Sequence, residues 1–397
     1  LFYVFVGASI IFCFYWGAQI LFAIKHKKYS MTLIDSDEQD LNTPVSIIHP
    51  IKDLDFELEK NLDSWMKQNY KGKVEHIFSF QDPNDPAIPV VKELMSKYPD
   101  IDYKIIVNPV MHGLNGKSSN MVHGVRQSKY DMLLFIDSDI RVMPDFIVKM
   151  IRPLKDENTG ITTCGQINIG GKDFWTRFFT FMQNTETDFM WAMFTKIGMD
   201  VGATGAAFAM RKDLLMKIGG LEAFGGSLLE DLHLGNTLYK MGYKIVLGPF
   251  IECHVDKLGK EKSFNYAKRI ATGIKAHIAL ELPAFVLMLF WYWIILFAGI
   301  IMSDSRIIYL GCLLVLIRMI HSALTRIVTG NKLYLKDFIM GPMLDMIGTF
   351  YLIFAKGVSS VEWRGIKYDV KAGGFINDGS ISVDIEEDKL DATLKDR

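Results

Sequence analysis

Two stretches, Leu1 to Ile24 and Leu282 to Met302, run without a single charged side chain. A hydrocarbon layer about 30 Å thick is crossed by roughly 20 apolar residues in a helix, so each is long enough to span a bilayer. Ile307 to Val328 and Phe338 to Ala355 are nearly as apolar but contain Arg318, His321 and Asp345. Ionisable groups at such depth are costly, and they pair or face a polar cavity. Arg318 and Asp345 are therefore expected to face each other or to line the path of a lipid headgroup. The alternative for Arg318 is to snorkel to the interface.

The first stretch lacks a basic leader and a small-x-small cleavage site, so it reads as a retained anchor rather than a removed signal peptide. Lys25, Lys27 and Lys28 follow it, and Lys268, Arg269 and Lys275 precede the second stretch. The positive-inside rule then places the segment between them in the cytoplasm. The third stretch returns to Arg326, Lys332 and Lys336, also inside. A fourth full crossing would leave the tail outside, and Gly341-Pro342 and Asp345 suggest a re-entrant segment instead. The expected organisation is an anchor over 1–24, a cytoplasmic domain over 43–275, about three membrane helices over 282–356, and a tail over 357–397 that is disordered distally. A formal net charge of −1 carries no polyanion signature, so no nucleic-acid partner is expected. The cysteines at 13, 164, 253 and 312 lie too far apart for a zinc motif or a disulfide framework, which suits a reducing compartment.

Within the domain, apolar runs at Val45 to Pro50, Val74 to Phe80, Ile101 to Val107 and Asp131 to Ile136 alternate with helical spacing over Asp53 to Gln68, Val90 to Tyr98 and Ser118 to Ser128. A further strand is expected at Lys244 to Gly248. This alternation predicts an α/β domain with a parallel sheet covered on both faces. Ligands of such sheets bind beyond the carboxyl ends of the strands. A dinucleotide-binding domain would need Gly-x-Gly-x-x-Gly after the first strand, where His49-Pro-Ile-Lys-Asp-Leu-Asp55 stands instead.

The fourth strand ends in Asp137-Ser138-Asp139. With a side-chain period of two, its carboxylates project the same way. Two such arms suit Mg²⁺ or Mn²⁺, which leave positions open for the phosphates of a nucleotide. The plain alternative is a solvated pair at a strand end. Gly113 to Asn120 offers glycines, backbone N–H groups and Lys117 at the start of a helix, an arrangement that can hold a diphosphate; it can also be only a glycine-rich turn with an N-cap serine. Val201 to Arg211 is rich in small residues, where a ligand can approach backbone. Glu230-Asp231 stands at a helix start, where either carboxylate can serve the helix dipole or act as a general base. The aromatic tract Phe174 to Phe194, broken by Arg177, Glu186 and Asp188, is too polar to cross a membrane; it reads as an interfacial helix or a core helix.

As a set, Asp82 after the second strand, Asp137-Ser-Asp139 after the fourth, and Glu230-Asp231 resemble the acidic stations of inverting nucleotide-diphospho-sugar transferases of the GT-A fold. Pro44 to Asp55, Gln81 to Ala87, Asp137 to Val142, Met210 to Leu214, Trp363-Arg364-Gly365 and the layout of one anchor before and several spans after the domain are similar to ceramide glucosyltransferases. That resemblance implies a UDP-sugar donor, with glucose favoured, and a membrane lipid acceptor, with ceramide favoured. It further implies that Asp82 contacts uracil or ribose, that Asp137 and Asp139 hold the donor through the cation, that Asp231 deprotonates the acceptor with Glu230 as its rival, and that Asp55 is a further acidic position of the site. The family's Gln/Arg-x-x-Arg-Trp is replaced by Phe264-Asn-Tyr266-Ala-Lys268-Arg269-Ile270, leaving Arg269 or Lys268 to neutralise the departing UDP. A processive polysaccharide synthase usually has more spans and an intact motif. Diacylglycerol, hopanoid and polyprenyl phosphate acceptors stay open, as does a membrane scaffold with an inactive domain, against which the retained carboxylates argue.

Overall fold

Strands whose side chains are apolar on both sides must be covered on both sides, and the computed structural model of the protein builds its sheet around two of them. It describes residues 1–35, 42–198, 202–266, 281–355, 360–363, 366–371 and 374–376. In chain order the elements are α1 (Phe2–Asp35), β1 (Val45–Pro50), α2 (Leu58–Met66), β2 (Val74–Phe80), α3 (Ala87–Ser96), β3 (Asp102–Val107), α4 (Gly116–Gln127), β4 (Met132–Ile136), β5 (Ile140–Arg141), α5 (Phe146–Ile151), β6 (Thr159–Gly170), α6 (Phe174–Met182), a π-helical turn (Gln183–Phe189), α7 (Met190–Lys196), β7 (Ala207–Arg211), α8 (Lys212–Lys217), α9 (Glu230–Lys240) and β8 (Lys244–Val255). Three long helices follow, α10 (Glu281–Met302), α11 (Ser305–Val328) and α12 (Leu335–Ala355), and then a hairpin of β9 (Ser360–Trp363) and β10 (Ile366–Asp369).

The main sheet has the order β3-β2-β1-β4-β7-β6-β8-β5. Every residue of β1 and β4 is buried. Successive side chains point to opposite faces, so Ile47, Leu134 and Ile136 join one core with Trp65 and Phe146, while Ile48, Leu133 and Phe135 join another with Val122 and Phe208. The first four strands are parallel, as expected. The whole sheet is mixed, which corrects the all-parallel expectation: β7 runs antiparallel to both β4 and β6, and β5 antiparallel to β8. The reason lies in strands that periodicity did not reveal. In β6, Gly165 leaves the space that Phe250 fills, since a Cβ there would lie 2.1 Å from that ring. Likewise the small-residue run ending at Arg211 is β7, where Ala207 and Ala209 are buried between neighbours.

Helix α2 begins at Leu58 rather than Asp53. Asp53 and Glu57 have φ of 61° and 54°, left-handed backbone that a helix cannot continue through. The loop is held by Asp85, which accepts from the Asp53 N–H at 3.0 Å.

Among the described residues, Phe2–Tyr29 and Ser305–Val328 are long and apolar enough to cross a membrane, and Phe290–Met302 is an apolar part of α10. They pack together, with Trp16 of α1 edge-on to Tyr292 of α10. Arg318 and Asp345 do face each other: Nε and Nη2 donate at 2.6 and 2.7 Å, and the Tyr292 hydroxyl donates to the same carboxylate at 2.8 Å. Arg318 is fully buried, which excludes snorkelling. Helix α12 runs through Gly341 and Pro342 without interruption, contrary to the expected break. Trp293 Nε1 donates to the Pro342 carbonyl at 3.2 Å.

The aromatic tract becomes α6, the π-helical turn and α7, wedged between the sheet and the apolar helices. Asn184 accepts from the Asn168 N–H of β6 at 2.7 Å, Gln19 of α1 donates to the Thr185 carbonyl at 3.1 Å, and Arg177 forms a buried ion pair with Asp337 of α12. The tract joins the two parts of the molecule, which is neither of the simple readings.

Candidate active site

The loops at the carboxyl ends of β1, β2 and β4 converge with the start of α9. Helix α4 starts at the N-cap Asn115, whose Oδ1 accepts from the Ser118 N–H at 3.2 Å. The same amide donates 2.8 Å bonds to the Ser227 carbonyl and to Glu230 Oε2. Both Leu114 and Asn115 donate backbone N–H groups to the Gly225 carbonyl. This approach needs glycine at 113: its φ is 106°, and a Cβ would lie 2.5 Å from that oxygen.

Lys117, the second residue of the helix, sits among acids. Its Nζ is 2.7 Å from Asp137 Oδ1, 2.9 Å from the Gly205 carbonyl and 3.8 Å from Glu230 Oε1. The lysine expected to face a diphosphate is thus paired with Asp137. A Cβ at Gly205 would lie 2.5 Å from Asp231 Oδ2, so only glycine lets that carboxylate come this close to the backbone of the cluster. Asp137, Ser138 and Asp139 lie in a turn after β4, not on the strand, so the period-two argument for their common direction does not apply. Different elements contact the two acids. Asp137 meets Lys117, while Asp139 Oδ2 is 3.7 Å from Cys253 Sγ of β8. Between them Ser138 donates to Asp55 Oδ2 at 2.5 Å, which brings Asp55 to the same turn. Asp82 is exposed at the end of β2 and accepts from the Asn84 N–H at 2.8 Å. Arg269 and Lys268 lie outside the described residues, as do Arg364 and Gly365.

The two acids at the start of α9 differ in surroundings. Glu230 is only 4% exposed, whereas Asp231 is half-buried. Burial pushes the Glu230 carboxyl up to about 7; Lys117 pulls the other way and the charge of Asp231 adds to the rise. Burial opposes the charge on Lys117, but Asp137, Glu230 and Asp231 outweigh it and raise its pKa. The Cys253 thiol is pushed up by burial and then by Asp139 and Asp55, so it is neutral.

A raised carboxyl pKa has a defined sign in stability. From about pH 4.5 to pH 7 the folded state holds a proton that the unfolded state has released, so stability falls as pH rises through this window. Glu230→Gln removes that dependence. The melting temperature of the variant minus that of the wild type should grow between about pH 5 and pH 8; a difference that stays flat would contradict it.

Asp137 and Asp139 supply hard oxygen donors suited to Mg²⁺ or Mn²⁺, and Lys117 on Asp137 marks where positive charge is favoured. Among the described residues no group of three His, Cys, Asp or Glu gathers as a metal site. The donor set fits a cation that takes its other ligands from phosphate and water. Asn115, Gly205 and Ser138 were missed as positioning groups by sequence reasoning. Asn115 carried a usable signal, an N-cap type directly before Gly-Lys-Ser.

Glycosyl transferase family 21 matches residues 10–376. Ceramide glucosyltransferase 3 of Caenorhabditis elegans is 27% identical over 384 residues, 94% of this chain and 82% of that protein. Ceramide glucosyltransferase 1 of the same organism is 29% identical over 249 residues, 61% of this chain and 52% of that protein. Mannosyltransferase PcManGT from Pyrobaculum calidifontis, solved in complex with GDP-Man and Mn²⁺, is 14% identical with a TM-score of 0.47, covering 88% of this chain and 97% of that one; a likeness so distant carries no argument about this site. The resemblance to ceramide glucosyltransferases read from the motifs is thus borne out, and with it a sugar-transferring enzyme. Matched from within its first apolar helix to the last described residue, the chain belongs to glycosyl transferase family 21.

Proposed function

We propose that the protein is an inverting hexosyltransferase that moves glucose from UDP-glucose to the primary hydroxyl of a ceramide-type lipid, with its catalytic domain on the cytoplasmic face of the membrane. The observation that carries the mechanism is the division of labour at the start of α9. Glu230 is buried with its oxygens on Asn115 and near Lys117, which suits a positioning role. Asp231 is more open and lies beside Gly205 and the Lys117–Asp137 pair, which suits a group that meets substrate.

On this reading Asp231 takes the proton from the attacking lipid hydroxyl as its oxygen bonds to the anomeric carbon and the bond to the UDP oxygen breaks. Single displacement inverts that carbon. Asp82 meets uracil or ribose, and Asp55 holds the turn of Asp137 to Asp139 through Ser138. Bound at Asp137 and Asp139, Mg²⁺ or Mn²⁺ would offset charge on the diphosphate. Lys117 is within reach of the same group if it leaves Asp137, and Arg269 is the further cation proposed for the leaving UDP. The relatives named ceramide glucosyltransferase support the lipid and the sugar.

The purified full chain, incubated with mixed lipid extract and a panel of nucleotide sugars, should yield ceramide carrying one added hexose from UDP-glucose by mass spectrometry. Hexose on diacylglycerol, hopanoid or polyprenyl phosphate instead would replace ceramide as acceptor. A ladder of added sugars would contradict single transfer.

A further inference from the structure

The loop Gly225 to Leu229 that leads into α9 is not held by the catalytic domain alone. We propose that residues 374–376, arriving from beyond the apolar helices, form a strap that positions the start of α9 for catalysis. The proposal rests on the reading of Asp231 as the base.

Three hydrogen bonds join strap and loop. Ile376 N–H donates to the Gly226 carbonyl at 2.9 Å, Leu228 N–H donates to the Gly374 carbonyl at 3.0 Å, and Ser227 Oγ donates to the same Gly374 carbonyl at 3.4 Å. Ser227 and Phe375 form an antiparallel bridge, and the Phe375 ring stacks on His233 of α9 with centroids 4.7 Å apart. Gly374 has φ of 75°, and a Cβ there would lie 2.6 Å from Leu229 Cδ1. The strap folds back on β10 through a Val370–Ile376 bridge and the Lys371 N–H bond to the Phe375 carbonyl at 2.8 Å.

From the loop the contacts run into the site. The Ser227 carbonyl accepts from Asn115, which also holds Glu230, and Glu230 neighbours the Lys117 that pairs with Asp137. A displaced loop therefore shifts the first turn of α9, and with it the aim of Asp231. The contact also bears on topology, because groups that hydrogen-bond directly share one side of a membrane. Between the catalytic domain and the strap the chain must cross an even number of times, so α10, α11 and α12 are not three full crossings.

The test uses the full chain in detergent with UDP-glucose and a short-chain ceramide. Phe375→Ala should lower kcat by about tenfold or more, since small misplacements of a catalytic group carry large rate costs. The UDP dissociation constant should stay unchanged, and Phe375→Tyr should restore the rate. Hydrogen exchange, which needs no turnover, should quicken over residues 227–233 in Phe375→Ala while β1 and β4 stay protected. Wild-type kcat in Phe375→Ala, unchanged exchange, or equal losses of kcat and UDP affinity would each overturn the strap. Asp231→Asn, run alongside, tests the base separately. Full activity there together with a slow Phe375→Ala would overturn the base assignment and leave the strap standing.

Discussion

Asp231→Asn should reduce transfer to lipid by about 10² to 10⁴ while UDP-sugar affinity stays near wild type. The amide keeps the shape of the carboxylate and can still accept the Leu232 N–H bond that Asp231 Oδ1 takes at 2.8 Å, so α9 should stay in place. What it loses is the capacity to take up a proton. Base, ribose and diphosphate are assigned to Asp82 and to the turn of Asp137 to Asp139, so binding is expected to survive. Asp139→Asn should show the opposite split and weaken metal-dependent donor binding. Calorimetry with UDP and steady-state kinetics separate the two. Equal losses of donor binding and turnover in Asp231→Asn, or full activity there with an inactive Glu230→Gln, would move the base from Asp231.

Arg318→Leu should be the most damaging change among the apolar helices. It leaves the 3% exposed Asp345 without its bidentate partner, with only the Tyr292 hydroxyl among the bonds described above still donating to it. Breaking a buried ion pair by removing one partner costs about 3–5 kcal/mol, because the remaining charge stays desolvated. Arg318 makes further contacts: Nη1 is 2.7 Å from His321 Nδ1 on the same helix, and its guanidinium lies 5.6 Å from the Phe181 ring of α6. A large drop in melting temperature and in folded yield from membranes is expected. Pairing it with Asp345→Leu should recover part of the loss, since no buried carboxylate is then stranded. Unchanged yield and stability in Arg318→Leu would refute the structural role of the pair.

The ion pair shows what the sequence could reveal. An arginine and an aspartate in the middle of adjacent apolar stretches had few other ways to be satisfied, and burial forced them together. The parallel half of the sheet was equally legible, because β1, β2 and β4 are apolar runs closed by turn residues. The mixed half was not, where β6 runs parallel to β8 but antiparallel to β7. Strand β6 carries Thr162, Thr163, Gln166 and Asn168 among its apolar residues, and Asn168 is satisfied by Asn184 of the π-helical turn, 16 residues on. Local pattern holds no trace of such a partner. The acidic stations were legible as residue types, but Lys117 on Asp137, Asn115 on Glu230 and Ser138 on Asp55 depend on loops meeting in space. The contact of residues 374–376 with the α9 loop joins positions about 150 residues apart and could not be read from spacing.

The stereochemistry of the product tests single displacement most directly. Starting from UDP-glucose, whose anomeric bond is α, the purified protein should give a lipid glucoside whose anomeric proton shows the coupling of a β linkage by NMR. Single displacement with Asp231 as base and no covalent nucleophile requires that inversion. An α-linked product would mean retention and would contradict the mechanism proposed for this site.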